Sequence, residues 1–300
     1  MIEISELYYE YPGVKALNNV SVKIPKGTIT ALVGPNGSGK TTLLECMAGL
    51  KRSYKGQVLV SGIDMQENPR EAHKLIGHLP DVFGLYENLT VEQCLRYQGM
   101  AHKLSNSVIE QRIPEVLVYL DLEHKASAFA RTLSRGMRQR LAIGQTLMHM
   151  PQWLILDEPA SGLDPEARVA LSDLFITLKN KGISLIVSSH ILAELDQYAN
   201  NLLIIRKGKI VESKALFHQE QNNGVITILL SAPHPLLPAY FRDTFSVELK
   251  YISETHFELS TQDDTMLRNQ MLAQLINKGV PVADFYYRKT TLVEQYLDTL

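Results

Sequence analysis

Apolar positions in this chain fall into short runs that alternate between two periods. Thr30-Ala31-Leu32-Val33, Gly56-Gln57-Val58-Leu59-Val60, Lys74 to Leu79, Trp153-Leu154-Ile155-Leu156 and Gly182 to Ser189 read as strands, most of them continuous rather than alternating. Ile2 to Tyr8 and Asn19 to Ile24 read as two further strands, the second alternating at Val20, Val22 and Ile24, with a turn over Tyr11 to Leu17 between them. Helical spacing takes over at Leu43 to Ala48, at Ile109, Ile113, Val116, Leu117 and Leu120, and at Leu141 to Met150. Pro114 inside the second of these predicts a kink or a break. Thr90-x-x-Gln93 is a capping box that starts a helix at about Val91, and Asp164-Pro165 supplies an N-cap followed by proline in the first helical position. Leu202 to Ile205 and Lys209 to Val211 form a hairpin around Lys207-Gly208.

The pattern changes after the polar stretch Gln219 to Gly224, which reads as a linker. Strands at Val225 to Ser231, Val247 to Ile252, His256 to Ser260 and Val282 to Tyr287 interleave with helices near Leu236 to Phe241, Asp264 to Asn277 and Thr291 to Leu300. The order β-α-β-β-α-β-α predicts a small α+β domain of ferredoxin-like kind over 219–300. It carries no catalytic constellation; support of dimerisation, regulation and simple stabilisation are all open to it.

Composition narrows the class without naming a function. At 300 residues the chain exceeds one typical domain, and 45% hydrophobic residues suffice for a real core. A formal net charge of −2 gives no overall basic field, so nucleic acid is not an expected partner. No run of about 18 apolar residues is present, so no membrane span is expected. Met1 to Ser5 does not open a secretory signal. Two cysteines, Cys46 and Cys94, make no disulfide framework and fit a reducing, cytoplasmic setting.

The chemistry is concentrated at Gly34-Pro35-Asn36-Gly37-Ser38-Gly39-Lys40-Thr41-Thr42. This is the G-x-x-x-x-G-K-[ST] spacing, set between a strand and a helix. Its glycines let backbone N–H groups converge on phosphate oxygens, and the helix N-terminus adds partial positive charge. Lys40 is placed to reach the outer phosphates and the Thr41 hydroxyl to ligate a bridging Mg²⁺. The strand Trp153 to Leu156 ends in Asp157 and Glu158, two adjacent acids that are costly to bury without a cation or a partner. Asp157 suits the Mg²⁺ shell, and Glu158 the attacking water.

Four features admit two readings each. Tyr11 fits stacking on an adenine ring or packing on the sheet with Tyr8 and Tyr9. Asp81, after a strand that runs to Pro80, fits a ligand contact or a solvated turn. His190, ending a strand on the same edge as Asp157, fits a γ-phosphate contact or a structural role. Ser134-Arg135-Gly136-Met137-Arg138-Gln139-Arg140 puts basic charge where a helix start normally favours acids, which makes either an anion site or a basic face against acidic neighbours. With one phosphate loop already present, the anion reading implies a composite site shared between two copies of the chain.

Together these residues resemble the ATP-binding subunit of ABC transporters, over residues 1 to about 218. Gly34 to Thr41 is similar to Walker A, Leu154 to Asp157 to Walker B, and Ser161-Gly162-Leu163-Asp164 to the D-loop. Leu133-Ser134-Arg135-Gly136-Met137 is similar to the LSGGQ signature. The resemblance implies a P-loop NTPase core, a RecA-like mixed sheet with N-terminal antiparallel strands, and a helical subdomain inserted at about 88–150. It implies ATP and Mg²⁺ held by Tyr11, Gly34 to Thr42, Asp157 and Asp81, with Ser134 and Gly136 reaching the nucleotide of a second copy. It makes Glu158 the catalytic base and His190 the switch histidine. It also implies a homodimer or a pair with a second ATP-binding subunit, docked peripherally on a separately encoded integral membrane permease at the cytoplasmic face and powering export. The alternative is a non-transport ATPase of the same class acting on ribosomes or DNA, but such proteins usually carry two cassettes or long insertions. Two departures stand out: Arg135 and Met137 replace a glycine and a glutamine of the signature, and Asp81 stands where a glutamine usually stands.

Overall fold

The chain opens with an antiparallel hairpin, β1 (Ile2–Tyr11) and β2 (Val14–Ile24), paired from Ile2 with Ile24 out to Tyr11 with Val14. The sequence reading placed a turn over Tyr11 to Leu17. The strands instead run on to a two-residue turn at Pro12-Gly13, because Gly13 takes a φ of 77° that reverses the chain at once. The computed structural model describes residues 1–189, 195, 197–215, 223–234, 237–245, 247, 249–262 and 265–289. They divide into two compact units, Met1–Leu216 and Phe217–Leu300.

In the first unit the hairpin joins β4 (Lys55–Val60) and β5 (Ile63–Asp64) in an antiparallel sheet of order β2-β1-β4-β5. A second sheet is built from β3 (Ile29–Val33), β6 (Ile76–Leu79), β7 (Trp153–Leu156), β8 (Ser184–Ser189), β9 (Asn201–Arg206) and β10 (Lys209–Ala215). Its order is β10-β9-β3-β8-β7-β6, parallel throughout except for β10, which returns from β9 through Lys207-Gly208. Every residue of β3, β7 and β8 is buried, which explains why these strands read as continuous rather than alternating runs. The helix α1 (Lys40–Met47) buries Leu43, Leu44 and Met47 in one cluster with Ile2, Leu17 and Val60 of the first sheet and Leu32, Trp153, Ile155 and Ile186 of the second.

The short α2 (Pro69–His73) precedes β6. The helices α3 (Val91–Ala101), α4 (Asn106–Leu120) and α5 (Arg135–Leu147) follow it, and α6 (Pro165–Asn180) comes after β7. Their starts are chemically specified. Thr90 and Gln93 close the capping box, Ser134 accepts from Met137 N, and Asp164 accepts from Ala167 N. Of the two outcomes expected at Pro114, a break does not occur. The hydrogen bond that proline removes falls at Glu110, which is exposed, while Ile109, Ile113, Val116 and Leu120 anchor both sides of it in the interior.

The second unit holds β11 (Asn223–Leu230), α7 (Leu237–Phe245), β12 (Lys250–Ser253), β13 (His256–Gln262), α8 (Thr265–Asn277) and β14 (Val282–Lys289). The sheet order β12-β13-β11-β14, antiparallel between neighbours, is the split β-α-β arrangement expected of a ferredoxin-like domain. Ile226, Ile228, Phe241, Phe257, Met271 and Leu275 form its core. The helix expected over Thr291 to Leu300 lies outside the described residues.

Leu44 is fully buried in the cluster that seats α1. Leu44→Ala should destabilise the first unit by about 2–5 kcal/mol. The chain's single tryptophan, the buried Trp153, reports on that unit alone. The loss should appear as a lower urea midpoint in its fluorescence transition.

Candidate active site

β3 ends at Val33 and the chain turns through Gly34 to Gly39 into α1. Two glycines are sterically required there. A Cβ on Gly34 would lie 2.3 Å from Ile205 O, and one on Gly39, at φ 110°, would lie 2.6 Å from Ala16 O. The loop is thus pressed between the β1–β2 hairpin and β9. Gly208 N donates to Ser38 O at 2.8 Å and Ser38 N to Pro35 O at 3.1 Å, fixing the loop further. Lys40, the first residue of α1, folds back over it: Nζ donates to Gly34 O at 2.8 Å and to Pro35 O at 3.4 Å. The same ammonium lies 3.6 Å from Glu158 Oε1. The first turn of α1 contains no acid, so the helix N-terminus and the lysine present an undiluted positive end.

The facing wall comes from the end of β7. Asp157 is buried, and its Oδ1 accepts a hydrogen bond from Ser188 Oγ at 2.5 Å. That same hydroxyl accepts from Glu158 N at 2.8 Å. Ser188, on the neighbouring β8, therefore holds both the side chain of Asp157 and the backbone of Glu158. Glu158 has a φ of 46°, a left-handed conformation uncommon for a non-glycine residue and characteristic of functional turns. A cavity of about 560 Å³ opens between the walls, lined among others by Tyr11, Lys40, Thr41, Asp81, Glu158 and Ser161. Tyr11 is 37% exposed, with its hydroxyl 3.4 Å from Thr42 Oγ1. Lys51 Nζ lies 5.0 Å from the Tyr11 ring centre, and Tyr9 meets the ring edge-on at 5.1 Å. The Lys51 ammonium is held above its usual pKa, chiefly by its hydrogen bond to Tyr11.

The ABC transporter family model matches residues 17–161. Over 99% of its length this chain is 31% identical to the ABC transporter ATP-binding protein YxlF of Bacillus subtilis, covering 98% of that protein. The chain belongs to the ABC transporter ATP-binding proteins. It is also 33% identical to the bacitracin transport ATP-binding protein BcrA of Bacillus licheniformis, over 74% of this chain and 72% of that one. Among solved structures, an ATP-binding subunit of an ABC transporter shares 32% identity over 72% of this chain and 90% of its own, with a TM-score of 0.64. The dimeric cassette MJ0796 shares 25% over 72% of this chain and 99% of its own, also at 0.64. The P-loop core expected from the sequence is the observed fold, and the chain is an ATPase of this family.

The ATP-binding subunit brings Tyr11, Asn36, Gly37, Gly39, Lys40, Thr41, Thr42, Asp81 and Glu158 to the cavity wall. Gly34, Pro35 and Ser38 shape the loop from behind, and Asp157 lies beneath Glu158. Ser134 and Gly136 are not among the residues lining this cavity. His190 lies outside the described residues. The arginines beside Ser134 do not form an open anion cradle within one chain. Arg138 pairs with Glu87 at 2.9 Å, Arg140 with Leu120 O at 2.7 Å and Asp121 at 3.2 Å, and Arg135 donates to Ser161 O at 3.0 Å. These two arginines thus face acidic neighbours within the chain, and Glu87 and Asp121 are too distant in sequence from Arg138 and Arg140 to be picked out by spacing. Sequence reasoning also passed over Ser188 and Lys51. For Ser188 the signal is two polar residues, Ser188-Ser189, closing an otherwise apolar strand; Lys51 gave none.

The donors present suit a hard divalent cation such as Mg²⁺. Thr41 offers a hydroxyl, Asp157 and Asp81 offer carboxylates, and no soft ligand intrudes. Among the described residues no group of three or more His, Cys, Asp or Glu could cage a metal unaided, so phosphate and water oxygens would complete the shell. Ser38 Oγ is buried with no hydrogen-bond partner among the described residues, an unspent group inside the loop that fits a ligand oxygen.

Ser188→Ala should lower kcat at least tenfold while leaving the fold intact, because it releases a buried carboxylate and the strained Glu158 backbone together, worth about 1–3 kcal/mol. Steady-state ATPase rates beside thermal melting check this; unchanged kcat would remove Ser188 from the site.

Proposed function

We propose that this subunit powers export of a substrate through a separately encoded membrane permease, working as one of a pair of cassettes. The observation that carries the reading is the convergence of Lys40, at the positive end of α1, with Glu158 on one cavity, Glu158 being held from behind by Ser188, which also bonds Asp157. In this reading the backbone N–H groups of Gly37 to Thr41 and the Lys40 ammonium hold the β- and γ-phosphates. Binding replaces the contacts of Lys40 to Gly34 O and Pro35 O with phosphate oxygens. Tyr11, held by Lys51 and Tyr9, stacks on the adenine. Thr41, Asp157 and Asp81 would hold Mg²⁺, which would supply neutralisation of the phosphate charge. Once Lys40 engages phosphate, Glu158 is released from it to orient and deprotonate the attacking water. His190 is assigned to the γ-phosphate on chain order alone.

Support for the pairing is that Ser134 and Gly136 are not among the residues lining their own chain's cavity. They are assigned to the nucleotide of the facing copy, whether identical or a second ATP-binding subunit. Closure of the pair over ATP drives the permease, and hydrolysis reopens it. Among the described residues no helix is long and apolar enough to cross a membrane. Peripheral attachment to a permease at the cytoplasmic face therefore supplies the membrane link. Transport is favoured by a relative named for bacitracin transport, and export by one, at 34% identity in Cupriavidus pinatubonensis, named for Nod factor export.

Two experiments test this. Glu158→Gln should cut ATP turnover by at least a hundredfold and accumulate an ATP-bound dimer on size exclusion; normal turnover would overturn the role of Glu158. Affinity capture of the subunit from gently solubilised membranes should recover a multi-span membrane protein. Recovery of ribosomes or DNA instead would replace transport as the function.

A further inference from the structure

We propose that Arg135 is a positioning residue that straps the start of α5 to the loop after Glu158 within each chain and so helps to hold Glu158 in place. Arg135 is the first residue of α5, and its Nη2 donates to Ser161 O at 3.0 Å, bridging two segments 26 residues apart in sequence. A second observation is independent of that bond. A Cβ built on Gly162 would lie 2.3 Å from Arg135 Nη2, 2.6 Å from Cζ and 2.8 Å from Nη1. The flat guanidinium therefore lies over Gly162, a residue already at φ 68°. A third observation concerns Gly136, where a Cβ would lie 2.7 Å from Ala167 Cβ. The start of α5 and the first turn of α6 are thus already in contact, and Arg135 closes the gap beside them.

The strap reaches the chemistry through a short, stiff path. Ser161 N donates to Glu158 O at 3.0 Å and Leu163 N to Ala160 O at 3.2 Å, so the loop from Glu158 to Leu163 is folded on itself. Ser161 lines the nucleotide cavity and also an adjoining one of about 380 Å³, shared with Asp81, Arg135, Arg138 and Glu158. Two of the three residues that depart from the family pattern, Asp81 and Arg135, thus line one cavity with Glu158. A glycine at 135 could supply none of these contacts. The guanidinium fork is suited to covering a glycine face while bonding a carbonyl; a lysine could keep the bond but not the cover.

The inference rests on the reading of Glu158 as the catalytic base, and the experiment separates the two. Full-length Arg135→Met keeps the stem and removes the donors. It should lower kcat for ATP roughly tenfold to a hundredfold with KM within about twofold, as displacement of a catalytic group without loss of ground-state binding requires. Arg135→Lys should recover a large part of that loss. Gly162→Ala, which pushes the guanidinium aside and also strains a left-handed backbone position, should lower kcat by a smaller factor in the Arg135→Met background than in the unaltered chain. A rise in KM with unchanged kcat would mean that Arg135 touches nucleotide itself and would overturn the strap. So would multiplicative losses in the double variant or no change in any of them. Normal turnover in Glu158→Gln would remove the base assignment while leaving the 135–162 coupling measurable.

Discussion

The site depends on a backbone squeezed where no side chain fits. Gly34 sits against Ile205 O and Gly39 against Ala16 O, so the phosphate loop is clamped between β9 and the β1–β2 hairpin. The loop so held leads directly into the start of α1, where the helix dipole adds partial positive charge. The core beneath is arranged to keep α1 still: Leu43, Leu44 and Met47 are wholly buried among residues from both sheets. A loop with a Cβ at either glycine would have to lift away from its supports, and the positive end of α1 would lose its aim.

The opposite wall is held by polar rather than steric means. Ser188 donates to Asp157 and accepts from Glu158 N, a chain of two hydrogen bonds that lets one buried carboxylate and one left-handed turn coexist at the end of β7. Lys40 is the hinge between the two walls. Its contacts to two loop carbonyls and to Glu158 satisfy the ammonium within the chain. The subunit therefore holds these charged groups in mutual contact.

Much of this was legible in the chain. The capping box at Thr90 and the N-cap at Asp164 form as their spacing predicts, because a cap is a contact over three residues and needs no tertiary information. The hairpin at Lys207-Gly208 and the split β-α-β order of the second unit follow from turn residues and period for the same reason. The turn assigned to Tyr11–Leu17 failed because strand pairing with a long partner extends β1 and β2 beyond what their alternation signals. The partners of the arginines near Ser134, namely Glu87, Asp121 and Ser161, are 19 to 51 residues away in sequence, so spacing could not point to them.

By itself the sequence determined the phosphate loop, the acids that end β7 and the order of elements that carries them, since each is written in local spacing and residue type. It fixed the family as well, through motifs whose chemistry tolerates little else. Only the tertiary structure decided which residues support them. Ser188 is a partner of Asp157 because β7 and β8 lie side by side, Lys51 lies over Tyr11 because α1 brings the two together, and Arg135 meets Gly162 because α5 and α6 start in contact. Those pairings come from the packing of distant segments, which spacing along the chain does not encode.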